Sequence, residues 1–278
     1  MELANSFLFT SESVSEGHPD KVCDFIADSV LDACLAQDPR SRVACEVLCK
    51  NNQVVLAGEI TTKARLDYVQ IVREAIRTIG YDDPSEAFNA DGVFVNMCLT
   101  AQSPDIAQGV DEDTSKAGEQ GAGDQGIMFG YASDETPELM PLPILLAHRL
   151  TRGLAEDRKY NGFTWLRPDS KSQVSVDYEG NTPVAVKHIL VSTQHTAKTK
   201  QRAIRGYVID ELAPRVLGDW FTKDVRVDVN PTGSFVIGGP TGDCGVTGRK
   251  IIVDSYGGAG RGWGGGLPRG GTSEGGSA

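Results

Sequence analysis

Gly17-His18-Pro19-Asp20-Lys21 gathers an imidazole, a turn-setting proline, a carboxylate and an ammonium into consecutive positions. An apolar run at helical spacing follows, so Asp20 is expected to cap a helix and His18 to lie on the incoming loop rather than on a buried face. In such a place His18 can donate a hydrogen bond to an anionic oxygen. Asp20 can hold a divalent cation, and Lys21 can pair with phosphate. The same residues also make an ordinary capped helix with a polar surface loop, and this stretch by itself does not separate the two.

Other stretches carry chemistry of the same kind. In Leu166-Arg167-Pro168-Asp169-Ser170-Lys171 the proline fixes the backbone, and Asp169 and Lys171 project from a loop just before a strand. A plain surface turn is the other reading. Gly248-Arg249-Lys250 places two cations side by side in an acidic protein, arginine as a planar fork and lysine as a point charge. That suits an oligophosphate, and also an exposed basic turn. Gly121-Ala122-Gly123-Asp124-Gln125-Gly126 matches G-x-G-x-x-G, but Asp111-Glu112-Asp113-Thr114-Ser115-Lys116 ahead of it is no strand, which argues against a dinucleotide fold. A glycine loop presenting Asp124 to a ligand, or a linker, fits better. Glu46 and Glu59 interrupt apolar strands; each lies on a solvated face or, if turned into a cleft, needs a cation or a ligand ammonium. Gln102 opens the loop after a strand. His148, His188 and His195 read as structural.

These residues sit in a chain of 278 residues with a net charge of −11, long enough for two domains with real cores. The acidic balance argues against nucleic acid and against acidic membrane surfaces, though not against a small anionic ligand held by local positive charge. No apolar run is long enough to span a membrane, and the N-terminus lacks the basic and apolar regions of a secretion signal. Six cysteines without a Cys-x-x-Cys pair read as reduced thiols in a cytoplasmic protein, not as disulfides or a zinc site.

The positioning elements follow from periodicity. A strand over 6–10, a helix over 21–37, a hairpin of 43–47 and 54–62 turning at Asn51-Asn52, a helix over 66–79 and a strand over 93–99 form one group. Helix 141–155, strands 172–178 and 184–191, helix 201–217 and strand 225–229 form another. The two hairpin turns lie about 130 residues apart. This predicts an α+β fold of repeated two-layer units, mostly antiparallel sheet with helices on one face. Phe235 to Pro240 and Arg249 to Asp254 look like the beginning of a further unit, its first strand or so. From Gly257 to Ala278 half the residues are glycine, which predicts disorder. The expected domains are 1–103, a mobile connection over 104–120, a central domain over 121–236, an incomplete third domain over 237–258 and a tail over 259–278.

Taken together, Phe9-Thr10-Ser11-Glu12-Ser13-Val14, the Gly17–Lys21 stretch, Gln102-Ser103-Pro104-Asp105-Ile106, Gly121 to Gly126 with Met128-Phe129-Gly130-Tyr131-Ala132, Leu166 to Lys171 and Gly238 to Tyr256 occur in an order that resembles the S-adenosylmethionine synthetase (methionine adenosyltransferase) family over about residues 6–258. The resemblance implies attack of the methionine sulfur on C5′ of ATP, departure of tripolyphosphate and its cleavage to phosphate and pyrophosphate. It implies His18, Lys171, Arg249 and Lys250 as catalytic residues. ATP contacts are implied at His18, Asp124, Asp169, Lys171, Ser234, Phe235, Asp243, Arg249 and Lys250, and methionine contacts at Glu59, Gln102 and Asp243. It further implies Mg²⁺ at Asp20, K⁺ at Glu46, a mobile loop from Ser103 to about Ser115, and a homodimer or dimer of dimers with active sites between subunits. Two departures stand out. Ser234 occupies the place of a family arginine, and the resemblance is expected to stop after Gly258, as after a shifted reading frame or an early end. The competing expectation is a catalytically inactive fragment that binds nucleotide weakly or pairs with a full-length subunit.

Overall fold

In chain order the elements are β1 (Ser6–Val14), α1 (Pro19–Gln37), β2 (Arg42–Lys50), β3 (Gln53–Thr61), α2 (Tyr68–Ile79), β4 (Phe94–Thr100), α3 (Leu142–Tyr160), β5 (Leu166–Glu179), β6 (Thr182–His195), α4 (Gln201–Tyr207), α5 (Ala213–Leu217), β7 (Arg226–Val229), the helical turn α6 (Gly239–Gly242) and β8 (Gly245–Val246). They belong to a computed structural model that describes residues 6–101 and 126–260. The described residues fall into two units. The N-terminal unit takes 19–101, 126–128 and 240–249; the central unit takes 6–18, 129–239 and 250–260.

The sheet of the N-terminal unit runs β4-β3-β2-β8. Period-two alternation decides its faces: Val43, Cys45, Val47 and Cys49 point inward with Val54 and Leu56, whereas Glu46 and Leu48 point outward. Asn51, at φ 50, turns the hairpin in the left-handed region that asparagine tolerates. Helices α1 and α2 cover the inner face with Val22, Ile26, Val30, Val72, Ile76 and Ile79. Asp67 caps α2 by accepting from the Gln70 amide at 3.0 Å, and Gly80 ends it at φ 106. The β3–β4 pairing is parallel, because α2 makes the crossover between them.

The sheet of the central unit runs β1-β5-β6-β7, antiparallel except for β6–β7. Strand β1 joins the later strands: Ser6 pairs with Glu179 and Val14 with Lys171. Helices α3 and α4, with the turn Val208–Leu212 that joins α4 to α5, bury Leu146, Leu150, Leu154, Ile204, Val208 and Leu212 against Val174, Val176, Ile189 and Val191. Both sheets are mostly antiparallel, with helices on the core side, as the periodicity predicts.

Several local expectations are corrected. The helix predicted over 201–217 is interrupted by a π-helical turn, Val208–Leu212, in which the Ala213 amide donates to the Val208 carbonyl. Pro214 follows at once; it supplies no amide and crowds the carbonyl one turn back, which a wider turn accommodates. Neither Phe235–Pro240 nor Arg249–Asp254 is a strand: the first has no regular structure before α6, and the second runs from irregular Arg249 and Lys250 into turns. Strand β5 starts at Leu166 rather than Ser172, so Asp169 and Lys171 belong to the strand and not to a loop before it. The connection expected to be mobile and most of the glycine tail lie outside the described residues.

Two predictions arise here. All six cysteines are free, with Cys23, Cys34, Cys45 and Cys49 buried in the N-terminal core, Cys244 half-buried and Cys98 exposed. Burial, then the charge of neighbouring Glu46, pushes the Cys45 thiol up to about 12. An aromatic disulfide reagent should therefore titrate Cys98 first and reach the four core thiols only on denaturation; rapid native labelling of Cys45 would contradict this. The second concerns Asp38, which accepts from the Lys63 amide at 2.8 Å and the Arg40 amide at 3.2 Å. The Lys63 bond above all holds its carboxyl below the usual range, against a smaller opposing effect of burial. A lowered folded-state value stabilises the protein above the unfolded-state value and is lost as pH falls through the folded one. Asp38→Asn should lower the Tm near neutrality, and the gap to the parent should close below about pH 4; a gap that persists in acid would refute the assignment.

Candidate active site

In the central unit the His18 loop is fastened to the start of β5. The Ser15 amide donates to the Ser170 carbonyl at 2.9 Å, and the Ser15 hydroxyl donates to the Pro168 carbonyl at 2.7 Å while accepting from the Ser170 amide at 2.8 Å. The His18 amide then turns back onto the Ser15 carbonyl at 3.0 Å. Gly17 lies so close to Pro168 that an added Cβ would stand 2.3 Å from its carbonyl carbon. Glu16 between them is gripped by Arg158 at 2.6 Å and Lys159 at 2.7 Å, at the end of α3. These bonds set His18 on the loop, as expected, yet 3% exposed, which corrects the expectation that it avoids burial. Burial comes from the fastening, which the local sequence does not announce.

Asp169 is buried, and its Oδ2 accepts from the Gly239 amide at 2.8 Å. Lys171, two residues on, is exposed, between Val14 of β1 and Ser192 of β6. Ser234 is exposed and Phe235 half-buried. Lys250 begins the turns that follow, its carbonyl accepting from the Asp254 amide at 2.8 Å. His18, Asp169, Lys171, Ser234, Phe235 and Lys250 thus share this unit.

The N-terminal unit holds a second group. Helix α1 starts at Pro19, which suits a first helical position because it has no amide to leave unpaired. Asp20 therefore lies inside the first turn and does not cap it. Its carboxylate instead accepts from the Val246 amide at 3.0 Å and stands 3.8 Å from the Arg249 guanidinium. One turn on, Asp24 accepts from the Gly248 amide at 3.0 Å and meets Lys21 at 3.0 Å. Gly245 allows this approach, since a Cβ there would stand 2.1 Å from the Pro19 carbonyl oxygen. Strand β8 and Thr247 complete the hold: the Thr247 amide donates to Val47, and its hydroxyl donates to the Glu46 carboxylate. Sequence reading missed Ser15, Glu16 and Asp24. Asp24 alone left a signal, four residues from Asp20 and so on the same helical face.

Glu46 and Glu59 stand exposed on the outer face of the sheet, where register sets Glu46 opposite Ala57 and Ala44 opposite Glu59. Asp243 is exposed, its Oδ1 accepting from the Cys244 amide. Gln102 and Asp124 lie outside the described residues, as does most of the glycine loop. Among the described residues no group of three or more His, Cys, Asp or Glu could by itself hold a metal ion. The histidines expected to be structural have structural partners: His148 with Ser13 at 2.8 Å, and His188 with Asp228 at 2.9 Å. The His188 bond, above all, holds the Asp228 carboxyl below its usual range.

No described helix is long and apolar enough to cross a membrane. Comparison with known proteins bears on the rest. Residues 6–104 match the model of the S-adenosylmethionine synthetase N-terminal domain, 119–235 that of its central domain and 237–272 that of its C-terminal domain. The last match runs past Gly258, where the resemblance was expected to stop. An S-adenosylmethionine synthase of Sorangium cellulosum (strain So ce56) is 54% identical over 263 residues. That alignment covers 93% of this chain, and the chain spans 62% of the length of this curated relative. With three consecutive domain models matched in order and this identity, the chain belongs to the S-adenosylmethionine synthetase family.

Proposed function

We propose that the chain carries the machinery for making S-adenosyl-L-methionine from ATP and L-methionine, with cleavage of the tripolyphosphate to phosphate and pyrophosphate. The observation that carries this reading is the fastening of the Ser15–His18 loop onto Pro168–Ser170. It joins two stretches far apart in sequence, each of which resembles an ATP-binding motif of the family.

The reaction turns a neutral sulfur into a sulfonium while a polyanion departs, so the site must absorb negative charge at the leaving oxygens. His18, held rigidly, donates to those oxygens. Lys171, Arg249 and Lys250 bind the phosphates, Arg249 through its planar fork. Asp169, Ser234, Phe235, Asp124 and Asp243 contact the nucleotide; Ser234 supplies a hydroxyl where the family supplies a cation. Glu59 takes the methionine ammonium, together with Gln102 and Asp243. Asp20 fits Mg²⁺, which uses one or two carboxylates and fills its remaining positions with phosphate oxygens and water. Bound there, the ion would supply Lewis-acid neutralisation of the phosphates. Glu46, engaged by Thr247 and exposed, offers K⁺ one carboxylate.

A homodimer or dimer of dimers, with sites completed between subunits, is supported by the outer face of the N-terminal sheet. There Leu48 and Phe94 are exposed, at 39% and 62%, on the same side as Glu46 and Glu59. Six free thiols support a cytoplasmic location. Methionine-dependent formation of S-adenosylmethionine by the purified chain, free of any full-length homologue, tests the reading. Turnover that falls at least 100-fold in His18→Asn supports it. Nucleotide binding without turnover would favour a second reading, a binding fragment or regulatory partner.

A further inference from the structure

Residues 234–238 have no ladder of their own, yet they include Phe235 and lead into the Gly239 amide that Asp169 holds. What fixes them is the buried end of β6. The His195 amide donates to the Phe235 carbonyl at 3.0 Å, and the Phe235 amide donates to His195 Nε2 at 3.1 Å. The other ring nitrogen, Nδ1, is 2.9 Å from the Thr196 carbonyl. A carbonyl only accepts, so Nδ1 carries the proton and Nε2 presents a lone pair, which an amide donor requires. A single residue thereby engages both backbone groups of Phe235.

Gln194 works beside it. Its Nε2 donates to the Val236 carbonyl at 3.0 Å, and its Oε1 accepts from the Asp169 amide at 3.4 Å. The contact with Gly238 is close, since a Cβ there would stand 2.7 Å from Gln194 Cδ. Gln194 and His195 are 1% and 3% exposed. Polar side chains this deeply buried are costly unless bonded, and truncating either would leave backbone groups of this segment unsatisfied.

We propose that Gln194 and His195 are positioning residues for the nucleotide: acting through the backbone of Phe235, Val236 and Asp169, they lock the segment that meets ATP. The proposal rests on the ATP-dependent function argued above. His195 is thus more than the structural residue its sequence context suggested.

The test compares the parent chain with Gln194→Ala, His195→Ala and His195→Gln, whose carboxamide oxygen can replace the Nε2 lone pair. Amide hydrogen exchange and MgATP affinity are measured on each. In His195→Ala, exchange at Phe235 should rise about tenfold while Ile189 to Val191 stay protected, and MgATP should bind about tenfold more weakly, the scale of one lost hydrogen bond. Gln194→Ala should weaken MgATP binding to a similar degree, and His195→Gln should recover most of both losses. Unchanged exchange at Phe235, or faster exchange with MgATP affinity intact, overturns the proposal. A parent chain that binds no MgATP overturns the functional reading instead, and exchange alone then decides whether the pair holds the segment. Should His195→Ala fail to fold, ring-nitrogen NMR of the parent decides: a proton on Nε2 rather than Nδ1 refutes the arrangement.

Discussion

Gly17→Ala should abolish the proposed ATP-dependent activity while leaving most of the chain folded. The added methyl would stand 2.3 Å from both the carbonyl carbon and the carbonyl oxygen of Pro168, and neither is a side chain that can swing aside. Either the loop lifts or the start of β5 shifts. The Ser15 bonds to Pro168 and Ser170 flank the contact, so they must stretch with it. Overpacking of this kind costs about 1–3 kcal/mol of stability. The proposed activity should fall much further, at least 100-fold, because displacing a catalytic group, the role proposed for His18, by about 1 Å can alone cost that factor. The control is Gly130→Ala, where no atom of the described residues lies within 4 Å of the added methyl and no effect is expected. Melting curves and MgATP titration on both variants check the result. Parent-like MgATP affinity in Gly17→Ala would show that the fastened loop does not govern the site.

The largest effect on stability is expected at Asp157. This carboxylate on α3 is 3% exposed and accepts from three side chains: the Tyr207 hydroxyl, Arg215 Nη2 at 2.5 Å and Asn161 Nδ2 at 2.7 Å. Burial, followed by the Asp157 bond and charge, pushes the Tyr207 phenol well up, so it remains a neutral donor through the alkaline range. Asp157→Ala orphans a buried hydroxyl and removes an ion pair. Arg215 is 44% exposed and regains water, so the loss should stay near the low end for a buried pair, about 2–4 kcal/mol. Joint replacement, Asp157→Leu with Tyr207→Phe and Arg215→Met, should recover at least half of that, since no polar group is then stranded. Denaturant midpoints at constant slope report both changes. A single substitution costing under about 0.5 kcal/mol would class the network as surface-like.

Strong periodicity made the fold class legible. The hairpin at Asn51-Asn52 and the stripe of Val72, Ile76 and Ile79 declare themselves, because each local pattern matches the face it buries. Pairing partners did not. Nothing within Ser6–Val14 says that it lies beside Leu166–Glu179, since strand pairing is a property of the two strands together. The strands expected at Phe235–Pro240 and Arg249–Asp254 failed for a related reason. An apolar run becomes a strand only beside an open edge, and Phe235 meets the backbone and ring of His195 instead.

The candidate site was legible in residue types and motif order, but not in its supports. His18, Asp20, Asp169 and Arg249 stand out as charged or titratable groups beside glycine and proline. Ser15, Glu16 and Gln194 do not, because an ordinary serine or glutamine reveals its partners only when the chain is folded. His195 shows the limit best. Its type was noticed, and its two-sided grip on Phe235 was not.

The pairing of β1 with β5 has a bearing on biosynthesis. A ribosome adding about 5–20 residues per second leaves the first strand waiting on the order of ten seconds or more for its partner to emerge. Through that interval Phe7, Leu8 and Phe9 sit on a nascent chain with no neighbour to pair with. The N-terminal sheet meets a similar delay, because β8, which pairs with Leu48 and Cys49, is translated only after every strand of the central sheet. Neither sheet can close in the order in which it is made, so holdase protection of the nascent N-terminus should raise the yield of native protein.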